Sequence, residues 1–365
     1  MAEQPKIKLL IFVPTLECGG MEKYIWLLCN NINTAIFDVT LAVLNNAHPF
    51  FVIQNKAVKV VDLHVPHVRF AIFKIRATIK KTGPDIVFTT GNHLNLYMAV
   101  FRWAISRKIK VVSRESSIVS INNRRAKFPL FYDWLAKKCY ADLDLVMSQS
   151  VYMEKDLIDK YHIAPGRSVV IYNPVEDPMI KAKEINNSKE TVYKFITVAR
   201  LSEEKGVSRL IASVALFPHP FVYYIIGEGR MHASLQKQID ALQLQDKIFL
   251  TGRKEDPFAG MEDAHLFLMG SLYEGLGNVL LEAGARGIPV VAFDAPGGIG
   301  EVVIEGKNGV LVEDNNTITF ALGIEKAIAT QFDRQQIAEI TQQRFSVSAI
   351  ITRVEALFIQ LYRSL

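Results

Sequence analysis

Glu274 and Glu282 stand eight positions apart in the stretch Leu272 to Val290, LYEGLGNVLLEAGARGIPV, on either side of a Gly-x-Gly-Asn turn. Glycine is costly inside a helix and cheap in a tight turn, so Leu276-Gly277-Asn278 reads as a loop. From Val279 onward, Leu280, Leu281, Ala283 and Ala285 read as a buried helix, stopped by Gly287 with Pro289 just beyond. Ahead of the loop, AHLFLMG (Ala264 to Gly270) reads as a buried strand. The loop therefore delivers a helix N-terminus, whose free N–H groups attract anions. Two carboxylates beside it would repel an anion unless they hold something neutral, such as hydroxyl groups. A ligand with phosphates and many hydroxyls, a nucleotide sugar, satisfies both demands.

Other polar positions of the second half fit the same ligand. Arg200 ends the strand pattern YKFITVAR, and LSEEKG places Lys205 five residues on, across a strand-to-helix turn. Ligands of an open parallel sheet bind beyond the carboxyl ends of its strands. Two fixed cations there can carry the diphosphate charge that a metal would otherwise neutralise. Alternatively, Glu203 and Glu204 balance them on a solvated loop. Gly227 and Gly229 make a Gly-x-Gly turn, but His232 stands where a dinucleotide fingerprint needs its third glycine, which argues against NAD. Arg253, in FLTGRKED, follows another strand at a place where a base could lie against main chain. In the first half, Gly19-Gly20 would let main chain approach a ligand. His93 follows the strand pattern Asp85 to Thr89, and Glu115 either joins the site or pairs with Arg114. Asp142-x-Asp144 has a metal-signature spacing, yet it enters an apolar strand and reads as capping or surface. No cluster with metal-ligand spacing stands elsewhere, so neither metal nor cofactor is expected.

These residues need a scaffold. Strand patterns at Lys8 to Val13, Asp38 to Val43, Val58 to Leu63, Asp85 to Thr89, Lys110 to Ser113 and Leu143 to Ser148 alternate with helical ones. The helices read as Met21 to Ile32, Val68 to Lys81, Asn95 to Ser106 and Pro129 to Cys139. Such alternation means a parallel sheet covered on both faces. After the polar stretch KAKEINNSKET the alternation restarts, which predicts an α/β chain of two doubly wound, Rossmann-like domains facing across a cleft. The expected division is 1–173, 174–345 and a C-terminal amphipathic helix, 346–365, packing back on the first domain.

The ordered set Arg200…Lys205, Gly227-x-Gly229, Thr251-Gly252-Arg253 and Glu274-Gly-Leu-Gly-Asn-x3-Glu282 resembles the family 4 retaining glycosyltransferases. The likeness continues through Asp294 to Val312, with Ile299 where many members carry proline, and ECGGMEKYIWLLCNNI is similar to the family's first loop and helix. It implies the two-domain B-type fold and metal-free transfer from a nucleotide sugar, most simply a UDP-sugar. By this resemblance Glu274 holds a donor-sugar hydroxyl and acts in catalysis, Glu282 holds the ribose, and Arg200 and Lys205 hold the diphosphate. The amides of Leu276, Gly277 and Asn278 would meet sugar and distal phosphate, Gly19 and Gly20 would serve donor or acceptor, and His93 would stand near the reacting sugar. Epimerases and phosphorylases share the fold, and a non-enzymatic nucleotide-sugar binder is a third possibility.

Charge says where the acceptor would come from. Residues 1–173 hold 23 Lys and Arg against 13 Asp and Glu, whereas residues 174–365 hold 19 against 24. One basic half suggests that only it meets an anionic surface. Within it, HVRFAIFKIRATIKKT (His67 to Thr82) carries no acid. At 100° per residue Val68, Ala71, Ile72, Ile75 and Ile79 make a core stripe, while Arg69, Phe73, Lys74, Arg76, Lys80 and Lys81 lie beside and beyond it. Aromatics among cations suit a lipid interface, and Arg124 to Tyr140 repeats the mixture. No apolar stretch reaches the roughly 18 residues of a span, KIKLLIFVP reads as a strand rather than a signal peptide, and no nucleic-acid motif is present. Three scattered cysteines (Cys18, Cys29, Cys139) fit a reducing cytosol. The expected location is cytoplasmic, peripheral on the inner face of the plasma membrane, beside a lipid-linked glycan acceptor.

Overall fold

The computed structural model describes residues 5–178, 192–313 and 316–365; the expected linker, Lys181 to Thr191, lies outside them. The chain divides into two compact units, one of Met1–Pro174 with Val347–Leu365 and one of Val175–Ser346.

The first unit runs β1 (Ile7–Val13), α1 (Gly20–Asn31), β2 (Phe37–Val43), β3 (Lys59–Asp62), α2 (Ile72–Thr82), β4 (Ile86–Thr90) and α3 (Asn92–Val100). It continues with β5 (Lys110–Arg114), α4 (Val119–Arg124), α5 (Pro129–Cys139), β6 (Leu145–Ser148), α6 (Val151–Tyr161) and β7 (Ser168–Val170). The sheet order is β3-β2-β1-β4-β5-β6-β7, and every pairing is parallel. Because successive side chains leave a strand on opposite faces, β1 feeds two cores. Leu9, Ile11 and Val13 join the core that holds α1, and Leu10 and Phe12 the one that holds α2 and α3. From Leu9 on the strand is buried on both faces and apolar, which is why LLIFV does not alternate; only Lys8 is exposed.

Two helical readings differ from the structure. The helix read from Val68 begins as a 3-10 turn, Val68–Phe70, before α2. The helix read as Asn95 to Ser106 instead starts at Asn92, stops at Val100 and is followed by a 3-10 turn, Arg102–Ala104. Arg102 explains the stop, being 0% exposed. Its guanidinium donates to the carbonyls of Ile105 and Ile109 and to the Asp144 carboxylate, so the chain wraps the buried charge rather than extending a helix. Asp144 also accepts from the Val111 amide at 2.8 Å, and this is where the Asp-x-Asp spacing is spent.

The second unit runs β8 (Tyr193–Val198), α7 (Val207–Val214), β9 (Phe221–Ile226), α8 (His232–Ala241), β10 (Ile248–Leu250) and β11 (Leu266–Met269). Then come α9 (Asn278–Ala285), β12 (Val290–Phe293), α10 (Ile299–Val302), β13 (Gly309–Val312), α11 (Thr317–Ala329) and α12 (Arg334–Phe345). Its sheet is also wholly parallel, in the order β10-β9-β8-β11-β12-β13.

The last helix, α13 (Val347–Arg363), follows the second unit in sequence but belongs to the first. Ile350, Ile351, Val354 and Phe358 enter the α1-side core. The Phe358 ring meets Phe88 edge-on at 5.5 Å and Phe37 at 6.3 Å, and Glu355 accepts from the Asn33 amide at 2.6 Å. Truncating a buried phenylalanine costs about 3–5 kcal/mol. All three tryptophans (Trp26, Trp103, Trp134) lie in the first unit, so their fluorescence reports its unfolding selectively. Phe358→Ala should lower the urea midpoint of that signal by this cost divided by the denaturant slope m, although it lies some 270 residues beyond β4, its packing partner.

Candidate functional site

Each sheet has one place where consecutive strands leave in opposite directions, and open α/β sheets bind ligands there, beyond the carboxyl ends. In the second unit this switch point falls between β8 and β11. The loop after β8 carries Arg200 and Lys205, and the loop after β11 carries Glu274, Leu276 and Gly277. The two loops touch backbone to backbone. A Cβ on Gly206 would fall 1.8 Å from the Gly270 carbonyl oxygen, and one on Gly270 would fall 2.5 Å from that of Gly206. Gly206 is also left-handed, at φ 59°.

This contact sets Lys205 against Glu274, with Nζ 2.5 Å from Oε1. Ser271 Oγ donates to the same oxygen at 2.7 Å. Among the described residues none bonds the other oxygen, Oε2. The Glu274 backbone is held as well: its amide donates to Pro296, and a Cβ on Gly297 (φ 126°) would collide with its carbonyl oxygen at 1.6 Å. Gly277, left-handed at φ 89°, caps α9 with no side-chain bond, and its carbonyl accepts from the Leu280 amide at 2.9 Å. Leu276 is buried, Asn278 opens α9, and Glu282 is half-buried one turn on. Arg200 and Arg253 are exposed, on the loops after β8 and β10. Gly227 and Gly252, which precedes Arg253, pair as an antiparallel bridge, and Gly227 leaves no room for a side chain against the Ala199 carbonyl.

Two residues of this site escaped sequence reasoning. Ser271 and Arg209, which binds the backbone of the Glu274 loop, have no motif around them. Their one signal was proximity, Arg209 lying four residues after Lys205 and Ser271 three before Glu274.

The first unit has its switch point between β1 and β4. Gly19-Gly20 lead into α1 from one side, and Gly91, Asn92 and His93 follow β4 on the other. The sides meet, since a Cβ on Gly91 would lie 3.1 Å from Met21 Sδ and 3.4 Å from Pro14 Cγ. Glu22 folds its carboxylate back to where a Cβ on Gly19 would be, and burial raises its pKa. His93 is exposed and packs edge-on against Tyr132 of α5, 6.0 Å between centroids.

Behind this edge lies a buried polar cluster. Glu115 is 0% exposed; its Oε1 accepts from Asn95 at 2.8 Å and Tyr140 at 3.0 Å, while Oε2 has no partner among the described residues. Burial pushes its pKa up to about 7, against the pull of those bonds and of the neighbouring Arg114. Arg114 does not donate to Glu115; it bonds Asn173 and lies over the Tyr24 ring, 3.7 Å from the centroid.

The residues read as lipid-facing divide. Phe73, Arg76, Lys80 and Lys81 are exposed on α2. Lys74 is exposed as well, and its ammonium also donates to the Leu63 carbonyl at 2.6 Å, which ties α2 to the chain before it. The Arg69 side chain lies outside what the structure describes. More apolar surface stands on α5, where Leu130 is 87% exposed and Phe131 and Trp134 stack with centroids 6.2 Å apart.

Comparison with known proteins follows the same division of the chain. Residues 18–177 match the description Glycosyltransferase Family 4, and residues 179–344 match Glycosyl transferases group 1. The N-acetylgalactosamine-N,N'-diacetylbacillosaminyl-diphospho-undecaprenol 4-alpha-N-acetylgalactosaminyltransferase of Campylobacter jejuni is 26% identical over 327 residues, 87% of this chain and 89% of that one. The lipopolysaccharide outer core galactosyltransferase WaaB, in its apo form, superposes with a TM-score of 0.78 at 19% identity, covering 97% of this chain and 99% of its own. HepE of Anabaena, in complex with UDP, gives 0.78 at 20% identity, over 97% and 100%. The fold is that of the B-type glycosyltransferases.

Glu115 makes a pH test of the first unit. The folded chain holds this proton more tightly than the unfolded one, where glutamate titrates near 4.5. The stability it contributes is complete below that value and is lost as pH rises through about 7. The tryptophan-monitored urea midpoint of wild type should therefore fall, relative to Glu115→Gln, between pH 5 and pH 8. A constant difference between the two proteins over that window would place the titration elsewhere.

Proposed function

This chain belongs to the family 4, group 1 glycosyltransferases, and from that premise we propose that it moves a hexose or N-acetylhexosamine from a UDP-sugar onto a lipid-linked saccharide, with retention and without a metal. The setting would be assembly of a surface polysaccharide or lipopolysaccharide. The observation that carries the reading is Glu274, with Oε1 saturated by Lys205 and Ser271 and Oε2 open for a hydroxyl donor. In this reading Oε2 takes a hydroxyl of the donor sugar, and Lys205 turns its remaining N–H groups to the diphosphate. The amides that open α9 stabilise the leaving group as charge develops; removing one such preorganised donor typically costs about 10²–10³ in rate. Glu282 would hold the ribose, Arg200 the diphosphate, and Arg253 would stand by the base. HepE binding UDP and the name of the Campylobacter enzyme, with its diphospho-undecaprenol acceptor, support donor and acceptor class.

The first unit would receive the acceptor, with Gly19, Gly20 and His93 at its switch point, at an anionic bilayer. Among the described residues no helix is long and apolar enough to cross a membrane. The surface has the character of a peripheral anchor instead. On α5, Leu130, Phe131 and Trp134 share one arc with Lys137 and Lys138, and α2 adds Phe73, Arg76, Lys80 and Lys81. Each cation near an anionic leaflet is worth about 1 kcal/mol, so a few suffice for reversible binding.

Glu274→Ala should abolish transfer in a chain that stays folded, and Lys205→Ala should weaken UDP binding at least about tenfold by calorimetry. Activity should survive EDTA; loss on chelation with recovery on Mg²⁺ would reject the metal-free reading. In sedimentation with phosphatidylglycerol-containing liposomes, reversing Arg76, Lys80 and Lys81 to Glu should weaken binding about a hundredfold. Replacing Leu130, Phe131 and Trp134 by Ser should weaken binding at high salt as well. Equal binding by all three proteins would remove this surface as the anchor.

A further inference from the structure

Arg209, on the first turns of α7, places its guanidinium against the backbone of the Glu274 loop. Nε donates to the Gly270 carbonyl at 2.7 Å and an Nη to the Ser271 carbonyl at 2.6 Å. The plane is pressed over Phe293 at the end of β12, 3.9 Å from the ring centroid. A planar fork that takes two successive carbonyls fixes both peptide planes at once, which a lysine ammonium cannot reproduce. Those are the peptides from which Ser271 directs its hydroxyl to Glu274 Oε1. Ser271 is itself buried, and the next amide, Leu272, donates to the Glu204 carbonyl at 2.8 Å. Through these carbonyls Arg209 reaches the carboxylate by way of the Ser271 hydroxyl.

Resting on the reading of Glu274 as the group that holds the donor sugar, we propose that Arg209 is a positioning residue, setting the carboxylate through the Gly270 and Ser271 carbonyls. The chain of control runs from guanidinium to peptide planes, from Ser271 Oγ to Oε1, and so to the direction in which Oε2 faces. Lys205 reaches Oε1 from the loop after β8, and Arg209 leaves the helix that follows that loop. One short segment, Lys205 to Arg209, thus grips the carboxylate with its first residue and the carboxylate's loop with its last. Ser271→Ala should then show a weaker form of the Arg209 defect.

The test compares wild type, Arg209→Lys, Ser271→Ala, Glu274→Gln and the double variant Arg209→Lys/Glu274→Gln as full-length chains. UDP affinity is measured by calorimetry, folding by thermal midpoint, and turnover as UDP release by hydrolysis of UDP-glucose, UDP-galactose and their N-acetyl forms, with water taking the sugar. Arg209→Lys should bind UDP within about twofold of wild type yet lose tenfold or more in turnover, and the double variant should be no slower than Glu274→Gln alone. Three results overturn the proposal: wild-type turnover in Arg209→Lys, UDP affinity falling in step with the thermal midpoint, or losses that multiply in the double variant. Wild-type turnover in Glu274→Gln, or no turnover of any of the four sugars by wild type, removes the donor-site reading itself and this proposal with it. Loss in Glu274→Gln with none in Arg209→Lys removes only the proposal.

Discussion

Two loops of the second unit meet with no side chain between them, and the candidate donor site depends on that contact. Gly206 and Gly270 each occupy the space that the other's Cβ would need. The consequence is a short, fixed path between a cation that follows β8 and a carboxylate that follows β11, strands that are neighbours in the sheet although about 70 residues apart in the chain. Backbone contact gives a rigidity that long side chains alone do not, since each immobilised Lys or Glu otherwise loses rotamer freedom. A Lys–Glu pair held in this way keeps one carboxylate oxygen neutralised and the other available.

The first unit solves a similar positioning problem with buried polarity. Glu115 and Arg114 sit inside the fold, and their partners come from α3, the residue after α5, and the chain after β7. Hydrogen bonds from Asn95 and Tyr140 offset part of the cost of burying a carboxylate, and the rest appears as a raised pKa. The same bonds tie α3, which carries His93, to the end of α5, which carries the exposed aromatic face. The elements proposed to meet acceptor and membrane are thus braced by one cluster. A defect in it would disturb both contacts together.

Much of this was legible in the sequence because its causes are local. Strands buried on both faces are mostly apolar without alternation, so β1, β4 and β11 stand out, and their alternation with helices implies two parallel sheets. The spacing of Arg200, Lys205, Glu274 and Glu282 identified the family, and the turn glycines marked where strands end. Glycine at a left-handed position is a local requirement, and Gly206 and Gly277 satisfy it. Charge asymmetry between the halves needs only counting.

What the sequence could not disclose depends on which distant groups meet. Nothing near Arg209 indicates that it binds two carbonyls more than 60 residues away, because a backbone carbonyl is the same at every position and leaves no trace in residue type. Arg102 read as an interruption in an apolar stretch; the turn that follows supplies three carbonyls, and Asp144 comes within reach only once β5 and β6 lie side by side. Lys74 is exposed like Arg76 and Lys80, but folding also puts the Leu63 carbonyl within its reach. On α5 the pattern of Leu130, Phe131 and Trp134 could as well have faced a core, and only the packing of the unit shows that these side chains face solvent. Residue type and period determine which elements form and what chemistry they carry. Tertiary structure decides which charges are spent on backbone and which stay available, because that choice belongs to partners far away in the chain.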